Sequence, residues 1–211
     1  DGVLLKVDQD SNLDGVTVGV PYSQSSESGL IPEYAVTSEF FQKFQPNDIR
    51  TEAYISLLPD NAGDLYNAVI KYFGEPGQNN GVVDPKILRV AEVVLNKAEA
   101  EYRAGTGDPL ATLDRLRSER YASFTSPGET GPALLEQILL ERRLELAFEG
   151  HRFFDIKRLG NSVERSATDG EFFDGSGTPT SFTTLNAGAR EFQLPIPQSE
   201  INIFPEFQQN P

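Results

Sequence analysis

Glu141, Glu145 and Glu149 stand four residues apart in the run ILLERRLELAFEG, which reads as one helix. That spacing sets three carboxylates on one face. Two carboxylates roughly 5–10 Å apart are what glycoside hydrolysis needs, one to protonate the leaving oxygen and one as base or nucleophile. Such a pair normally flanks a cleft from different elements, however. Here Arg142, Arg143 and Arg152 lie close in sequence and would neutralise the acids. The preferred reading is an ion-pair network that ties this helix to its neighbours.

The chain's only histidine follows directly, in EGHRFFDIKRLG (149–160). A general base needs a nucleophile or a positioned water within reach. A metal centre needs more ligands than one histidine and scattered acids without ligand spacing. His151 follows Gly150 at a helix end, where a partly charged imidazole would suit the dipole. Its expected work is to hydrogen-bond backbone or a carboxylate where two helices meet.

Two further groups could bind something. Asp8, Asp10, Asn12 and Asp14 alternate as oxygen ligands do in calcium loops. An EF-hand wants glycine at its sixth position and glutamate at its twelfth; Leu13 and Gly19 stand there instead. An exposed acidic turn is the preferred reading, with a loop-bound calcium of another type left open. Tyr22, Tyr34, Tyr54 and Tyr66 fall in a loop-rich region. Exposed aromatic faces stack on sugar rings or peptide side chains, although each tyrosine alone is more readily a packing residue. No phosphate loop, dinucleotide fingerprint or nucleophile elbow occurs, so no cofactor is expected.

Composition narrows the partners. The 211 residues carry 18 Lys and Arg against 32 Asp and Glu, a net charge of −14. Such a surface repels nucleic acid and anionic headgroups. A glycan or neutral peptide suits it better. Tyr and Phe together supply the aromatics of a packed core, against disorder. The absence of cysteine excludes disulfides, thiolate zinc sites and a cysteine nucleophile. There is no Met and no Trp, consistent with a mature form or a fragment. No apolar run is long enough to span a membrane.

Three textures position these residues. Residues 1–85 are rich in Gly, Ser, Pro, Asn and Asp, with strand-like alternation at Val3–Leu5 and Val16–Val20. A short helix is expected over Ser38–Phe44 with Ser38 as N-cap, and a strand over Tyr66–Phe73. Residues 85–160 are helical. Pro85 opens a helix through Ile87, Val90, Ala91, Val94, Ala98 and Tyr102, which Gly105 ends. Asp108–Pro109 opens a second, to about Tyr121, and Pro132 a third, to near Gly150. Small residues at Ala98, Ala100 and Ala111 give residues 95–120 the texture of a tetratricopeptide-like helix pair. One pair cannot bury its own face, so partner helices must lie elsewhere. Residues 161–211 return to loop, with an extended tail that turns into a short capped helix.

Taken together, these segments resemble the C-terminal half of the SusD/RagB family. The resemblance is carried by LRVAEVVLNKAEAEYRAG (88–105), ILLERRLELAFEGHRFFDIKRLG (138–160) and LPIPQSEINIFPEFQQNP (194–211), in that order, with Asn47–Arg50 as a short preceding element. It covers roughly residues 36–211; residues 1–35 match only in style. It implies a mainly α fold of tetratricopeptide-like helix pairs, a SusD-like α–α superhelix with long irregular loops and a few short strands. It implies surface lipoproteins of the outer membrane in Bacteroidetes-type bacteria. These cap a TonB-dependent, SusC-like transporter and pass it oligosaccharide, or in some cases peptide, without catalysis. Contact with the membrane would come only through an N-terminal lipid anchor not present in this chain. Glu141, Arg142, Arg143, Glu145, Glu149, Gly150, His151, Arg152, Asp155 and Arg158 would then belong to the scaffold. Family members run to about twice this length, so the N-terminal helix pairs and part of the ligand site are expected to be missing.

The resulting expectation is one continuous domain: a loop-rich region (1–85) offering a ligand face, and a helical region with extended tail (86–211). Candidate ligand residues are Tyr22, Gln24 and Tyr34, with the loop of Phe172, Phe173 and Phe182 as a second candidate or simply a transporter-facing surface. The rivals are a peptide-binding member of the same family, a glycoside hydrolase using Glu141 and Glu145, and a tetratricopeptide-type adaptor for proteins.

Overall fold

The structure is a computed structural model that describes residues 2–6, 22, 34–59, 63, 65–74, 83–166 and 183–210. Among these residues the chain is mainly helical with a few short strands. In order they are β1 (Val3–Lys6), α1 (Ser38–Phe41), α2 (Arg50–Tyr54), β2 (Ile55–Pro59), β3 (Leu65–Val69) and β4 (Lys86–Arg89). The helices α3 (Val90–Ala104), α4 (Pro109–Arg117), α5 (Gly131–Glu145) and α6 (His151–Arg158) follow. The two-residue strands β5 (Val163–Glu164) and β6 (Thr184–Leu185), a 3-10 turn (Arg190–Phe192) and α7 (Gln198–Ile203) end the chain. The strands form three antiparallel ribbons, β1–β4, β2–β3 and β5–β6.

The core has two clusters, and α5 belongs to both. In the first, α3 packs on α4 and α5 through Ala91, Leu95, Ala98, Leu113, Leu116, Leu134 and Ile138. Ala91, Leu95 and Ala98 recur every three or four residues, so they form one stripe, and the two alanines let the facing helices approach. In the second cluster the C-terminal turn of α5 brings Leu144 onto Val36, Phe40, Phe44, Ile55 and Val69.

The ends of the helix pair follow local rules. Gly105 caps α3 in the left-handed conformation (φ 63°). Pro109 occupies the first turn of α4, and Asp108 Oδ1 accepts the Ala111 backbone N–H at 2.9 Å. Asp108→Ala is therefore expected to cost about 1 kcal/mol, measured as a lower midpoint in urea.

Several expected boundaries move. Lys86–Arg89 is a strand instead of the start of a helix, because β1 offers it backbone partners; Val3 pairs with Arg89 and Lys6 with Lys86. Helix α3 therefore begins at Val90, after the strand. Thr37, not Ser38, caps α1, its hydroxyl accepting the Phe40 N–H at 3.3 Å. Strand β3 ends at Val69, and Tyr72 falls in the turn before Gly74. Helix α5 stops at Glu145, well short of Gly150. Phe148 (φ 67°) and Gly150 (φ 82°) both turn left-handed there, which breaks the helix and restarts it as α6. The short tail helix, α7, has no side-chain hydrogen bond at its N-cap. The run Val16–Val20 lies outside the described residues.

Candidate functional site

Because α5 crosses the molecule between two cores, its acids meet elements from far along the chain. Glu141 and Glu145 are 2% and 0% exposed. Arg50, from α2, donates to Glu141 Oε2 at 3.0 Å and to Glu145 Oε2 at 3.3 Å, and its other bonds go to Asp48 (2.7 Å) and the Tyr121 hydroxyl (2.9 Å). Arg89, at the end of β4, donates to Glu145 Oε1 at 2.6 Å and to Glu149 Oε2 at 2.9 Å. Arg120 donates to Glu145 Oε2 at 2.9 Å, Arg117 to Glu141 Oε1 at 3.4 Å, and the Tyr121 hydroxyl donates to Glu141. Burial pushes the Glu145 carboxyl up, but hydrogen bonds and charge from Arg120 and Arg89 outweigh it and hold it at about 2. At neutral pH it is ionised and has no proton to give.

The arginines next to these acids in sequence are not their partners. Successive helical residues point about 100° apart, so Arg142 and Arg143 face away from Glu141. Arg142 grips Asp155 with Nε at 2.9 Å to each oxygen, and reaches Asn96 (2.8 Å) and Glu92 (3.2 Å) on α3. Arg158 continues this chain of charges from Asp155 (2.7 Å) to Glu99 (2.7 and 2.9 Å). Arg143 lies 4.9 Å from the centre of the Phe40 ring. Burial and the nearby Arg152 lower its pKa, and burial lowers that of Arg152. Glu149 lies beyond the end of α5 and shares no helix face with Glu145; Arg89 and Lys71 hold it.

His151 is the first residue of α6, so it sits at a helix N-terminus, the reverse of the dipole arrangement expected from its place after α5. Its Nδ1 is 3.5 Å from Glu92 Oε1, the carboxylate that Arg142 also holds. The imidazole thus lies at the junction of α3, α5 and α6. Among the described residues no group of three or more His, Cys, Asp or Glu could hold a metal ion.

On the other side of the α5–α6 turn the tyrosines gather. Tyr22 lies between two rings, 5.6 Å from Tyr72 and nearly stacked (26°), and 5.8 Å from Tyr34 at 47°. Tyr34 is 56% exposed and Tyr72 is buried. Tyr34 is placed by the strand-like segment before α1, where the Val36 N–H donates to Asn67 O of β3 at 2.9 Å. Tyr72 is fixed by its hydroxyl, which donates to Phe148 O at 3.0 Å. Burial, with the neighbouring Tyr34 ring, raises the Tyr22 phenol; burial and Glu149 raise Tyr72. Both stay protonated as hydrogen-bond donors. Of the other candidates, Tyr54 donates to Glu145 O at 3.3 Å, and Tyr66 is buried in β3. Tyr72 was missed in the sequence because it fell inside an expected strand; the following Gly74 was the available sign of a turn. Gln24, Phe172, Phe173, Phe182 and the acids Asp8, Asp10, Asn12 and Asp14 lie outside the described residues.

Comparison with known proteins places this geometry. The sequence profile of the SusD family matches residues 63–211. SusD-like protein P2 of Formosa agariphila is 37% identical over 106 residues, 44% of this chain and 21% of that protein. A candidate sugar-binding protein of Bacteroides vulgatus superposes with a TM-score of 0.80 at 26% identity, covering 99% of this chain and 45% of that one. A SusD superfamily protein of Bacteroides thetaiotaomicron gives 0.77 at 26% identity, covering 100% and 48%. This chain therefore spans less than half the length of these relatives.

Proposed function

This chain belongs to the SusD family, and on that premise we propose that it forms part of a non-catalytic surface protein that captures oligosaccharide and delivers it to a TonB-dependent, SusC-like transporter. The observation that carries this reading is the Tyr34–Tyr22–Tyr72 layer. One ring is open to solvent and two are stacked behind it. A sugar offers an apolar C–H face and a rim of hydroxyls, which an aromatic face with protonated phenols matches. The net charge of −14 disfavours an anionic ligand. The Bacteroides vulgatus relative, named as a candidate sugar-binding protein, agrees in class. A lipid anchor would hold the protein at the outer membrane. Among the described residues no helix is long and apolar enough to cross a membrane.

The arrangement of Glu141 and Glu145 favours capture over hydrolysis. Both carboxylates are engaged by buried arginines, and the Glu145 carboxyl is held low by Arg120 and Arg89, the opposite of what a general acid requires. An adaptor of the tetratricopeptide type would need a continuous concave helical face. The described α3–α4–α5 unit instead turns its stripes inward on one another.

Calorimetry against a panel of polysaccharides and peptides, with reducing-sugar release followed in the same samples, tests the reading. Binding of a glycan without new reducing ends is expected. Tyr34→Ala should weaken it about 2–12-fold, the loss of one stacking contact of about 0.5–1.5 kcal/mol, and leave the urea midpoint unchanged because Tyr34 is exposed. Undiminished affinity in this variant would remove the tyrosine layer from the site. Release of new sugar ends would overturn the non-catalytic reading, and binding only to peptides would replace the ligand class.

A further inference from the structure

A recess lies against the Arg50 cluster, between the chain before α2 and the α4–α5 connection. It is a cavity of about 240 Å³ bordered by Gln45, Asn47, Ser123, Phe124, Thr125 and Gln137. Its floor is the Arg117–Glu141–Tyr121 group. We propose that this cavity binds one neutral polyhydroxylated ring, at a site separate from the tyrosine layer.

The one cation of the floor is already occupied. Arg117 donates to Glu141 at 3.4 Å, to Glu129 at 3.0 Å and to Asp114 at 3.4 Å, so its charge is met by carboxylates. An anionic ligand would find no cation left over, whereas a neutral one need displace nothing. The walls offer what hydroxyl groups use. Gln137 accepts from Arg117 through Oε1 at 3.1 Å, which leaves its two amide N–H donors. Asn47 donates through Nδ2 to Ala122 O at 3.0 Å, which leaves its amide oxygen as acceptor. Gln45, Ser123 and Thr125 can both donate and accept. Phe124, half-buried beside Tyr121 with ring centres 6.2 Å apart, adds an apolar face. Donors, acceptors and one aromatic plane around a small concavity are the elements of a sugar-sized site. At about 240 Å³ the cavity is smaller than the roughly 300–1,000 Å³ of drug-sized sites, which limits it to a single ring.

The walls are also held in place before any ligand arrives. The Ile49 N–H donates to Arg120 O at 3.0 Å, the Ala122 N–H to Asn47 O at 2.9 Å, and Asp48 bridges Tyr121. These bonds lace the two segments together as a short antiparallel pair. Ser123 then takes a left-handed backbone (φ 59°), unusual for a residue with a side chain. A fixed loop loses little freedom on binding.

The test is residue-resolved NMR of the 15N-labelled chain, titrated with methyl β-D-glucopyranoside, N-acetylglucosamine and myo-inositol to about 50 mM. A single small ring should saturate in the range of about 1–10 mM. The expected result is saturable movement of amide signals at Gln45, Asn47 and 121–126 and of the Gln137 side-chain amide. Gln45→Ala and Phe124→Ala should each weaken it by at least about 5-fold, while Tyr34→Ala leaves it unchanged. Gln45 is exposed and makes no side-chain bond among the described residues, so its variant decides the matter if Phe124→Ala disturbs the fold. Movement only around Tyr34 and Tyr72 would overturn this site and leave the proposed function standing. Movement only here would uphold this site against the tyrosine layer. No movement with any of the three probes overturns it.

Discussion

Glu145→Ala is expected to remove about 3–5 kcal/mol of stability, read from urea unfolding followed by circular dichroism. The reason is what remains behind. Arg50, Arg89 and Arg120 all donate to this one carboxylate from 2.6 to 3.3 Å, and it is fully buried. Deleting it leaves three guanidinium groups without their shared counter-ion. Glu145→Gln keeps the shape and isolates the charge. In the unfolded chain this carboxyl has the ordinary value of 4.5, and in the fold it is held at about 2. A group whose folded pKa is lowered contributes stability that is complete above the unfolded value and is lost as pH falls through the folded one. The gap between wild type and Glu145→Gln should therefore be about 3 kcal/mol at neutral pH and should close between about pH 4.5 and pH 2. It should change little with added salt, since buried pairs are weakly screened. A catalytic role predicts the opposite pattern. The double Gln variant of Glu141 and Glu145 would then abolish sugar release with little change in the unfolding curve, and that result would reinstate the hydrolase.

The parts of this fold that were legible in the sequence are those set by neighbours within a turn or two. Ala91 and Ala98 announce α3 by their spacing, Gly105 its end, and Asp108–Pro109 the start of α4. The extent of α5 was not legible. Nothing in LELAFEG forbids helix, and the break depends on Phe148 adopting a left-handed backbone that its contacts favour; its ring meets Phe40 edge-on at 6.0 Å. The strand at Lys86–Arg89 was hidden for a similar reason, since its hydrogen-bond partners are at residues 3–6. The same limit applies to the charges. Arg50 reaches Glu141 and Glu145 across 91 and 95 residues of chain, and no local pattern names such a pair. The acids can be read as an ion-pair network, but sequence proximity assigns its cations to Arg142, Arg143 and Arg152, whereas Arg50, Arg89, Arg117 and Arg120 supply them. Of the candidate ligand residues, Tyr22 and Tyr34 meet directly, and Tyr22 is backed by Tyr72, whose position depends on where β3 stops.

Arg142→Ala and His151→Ala form the second decisive comparison, because the two side chains share Glu92. Arg142 is a buried fork: Asp155 takes Nε at 2.9 Å, Asn96 takes Nη1 at 2.8 Å and Glu92 takes Nη2 at 3.2 Å. One guanidinium thus joins α3, α5 and α6. Without it, among the described residues, Asp155 keeps only Arg158 as a side-chain donor, and Glu92 keeps only His151 at 3.5 Å. The expected loss is about 3–5 kcal/mol. Arg142→Lys should recover little of it, since an ammonium cannot reach three acceptors in a planar fork. His151 makes one long contact from a partly exposed position at the N-terminus of α6, so His151→Ala should cost no more than about 1 kcal/mol. If the losses came out reversed, with His151→Ala severe and Arg142→Ala mild, the junction would be organised by the imidazole. The order expected here instead makes His151 an accessory to a junction that Arg142 holds. It also leaves glycan affinity unchanged in His151→Ala, because the imidazole contacts Glu92 while the tyrosine layer is anchored at Phe148.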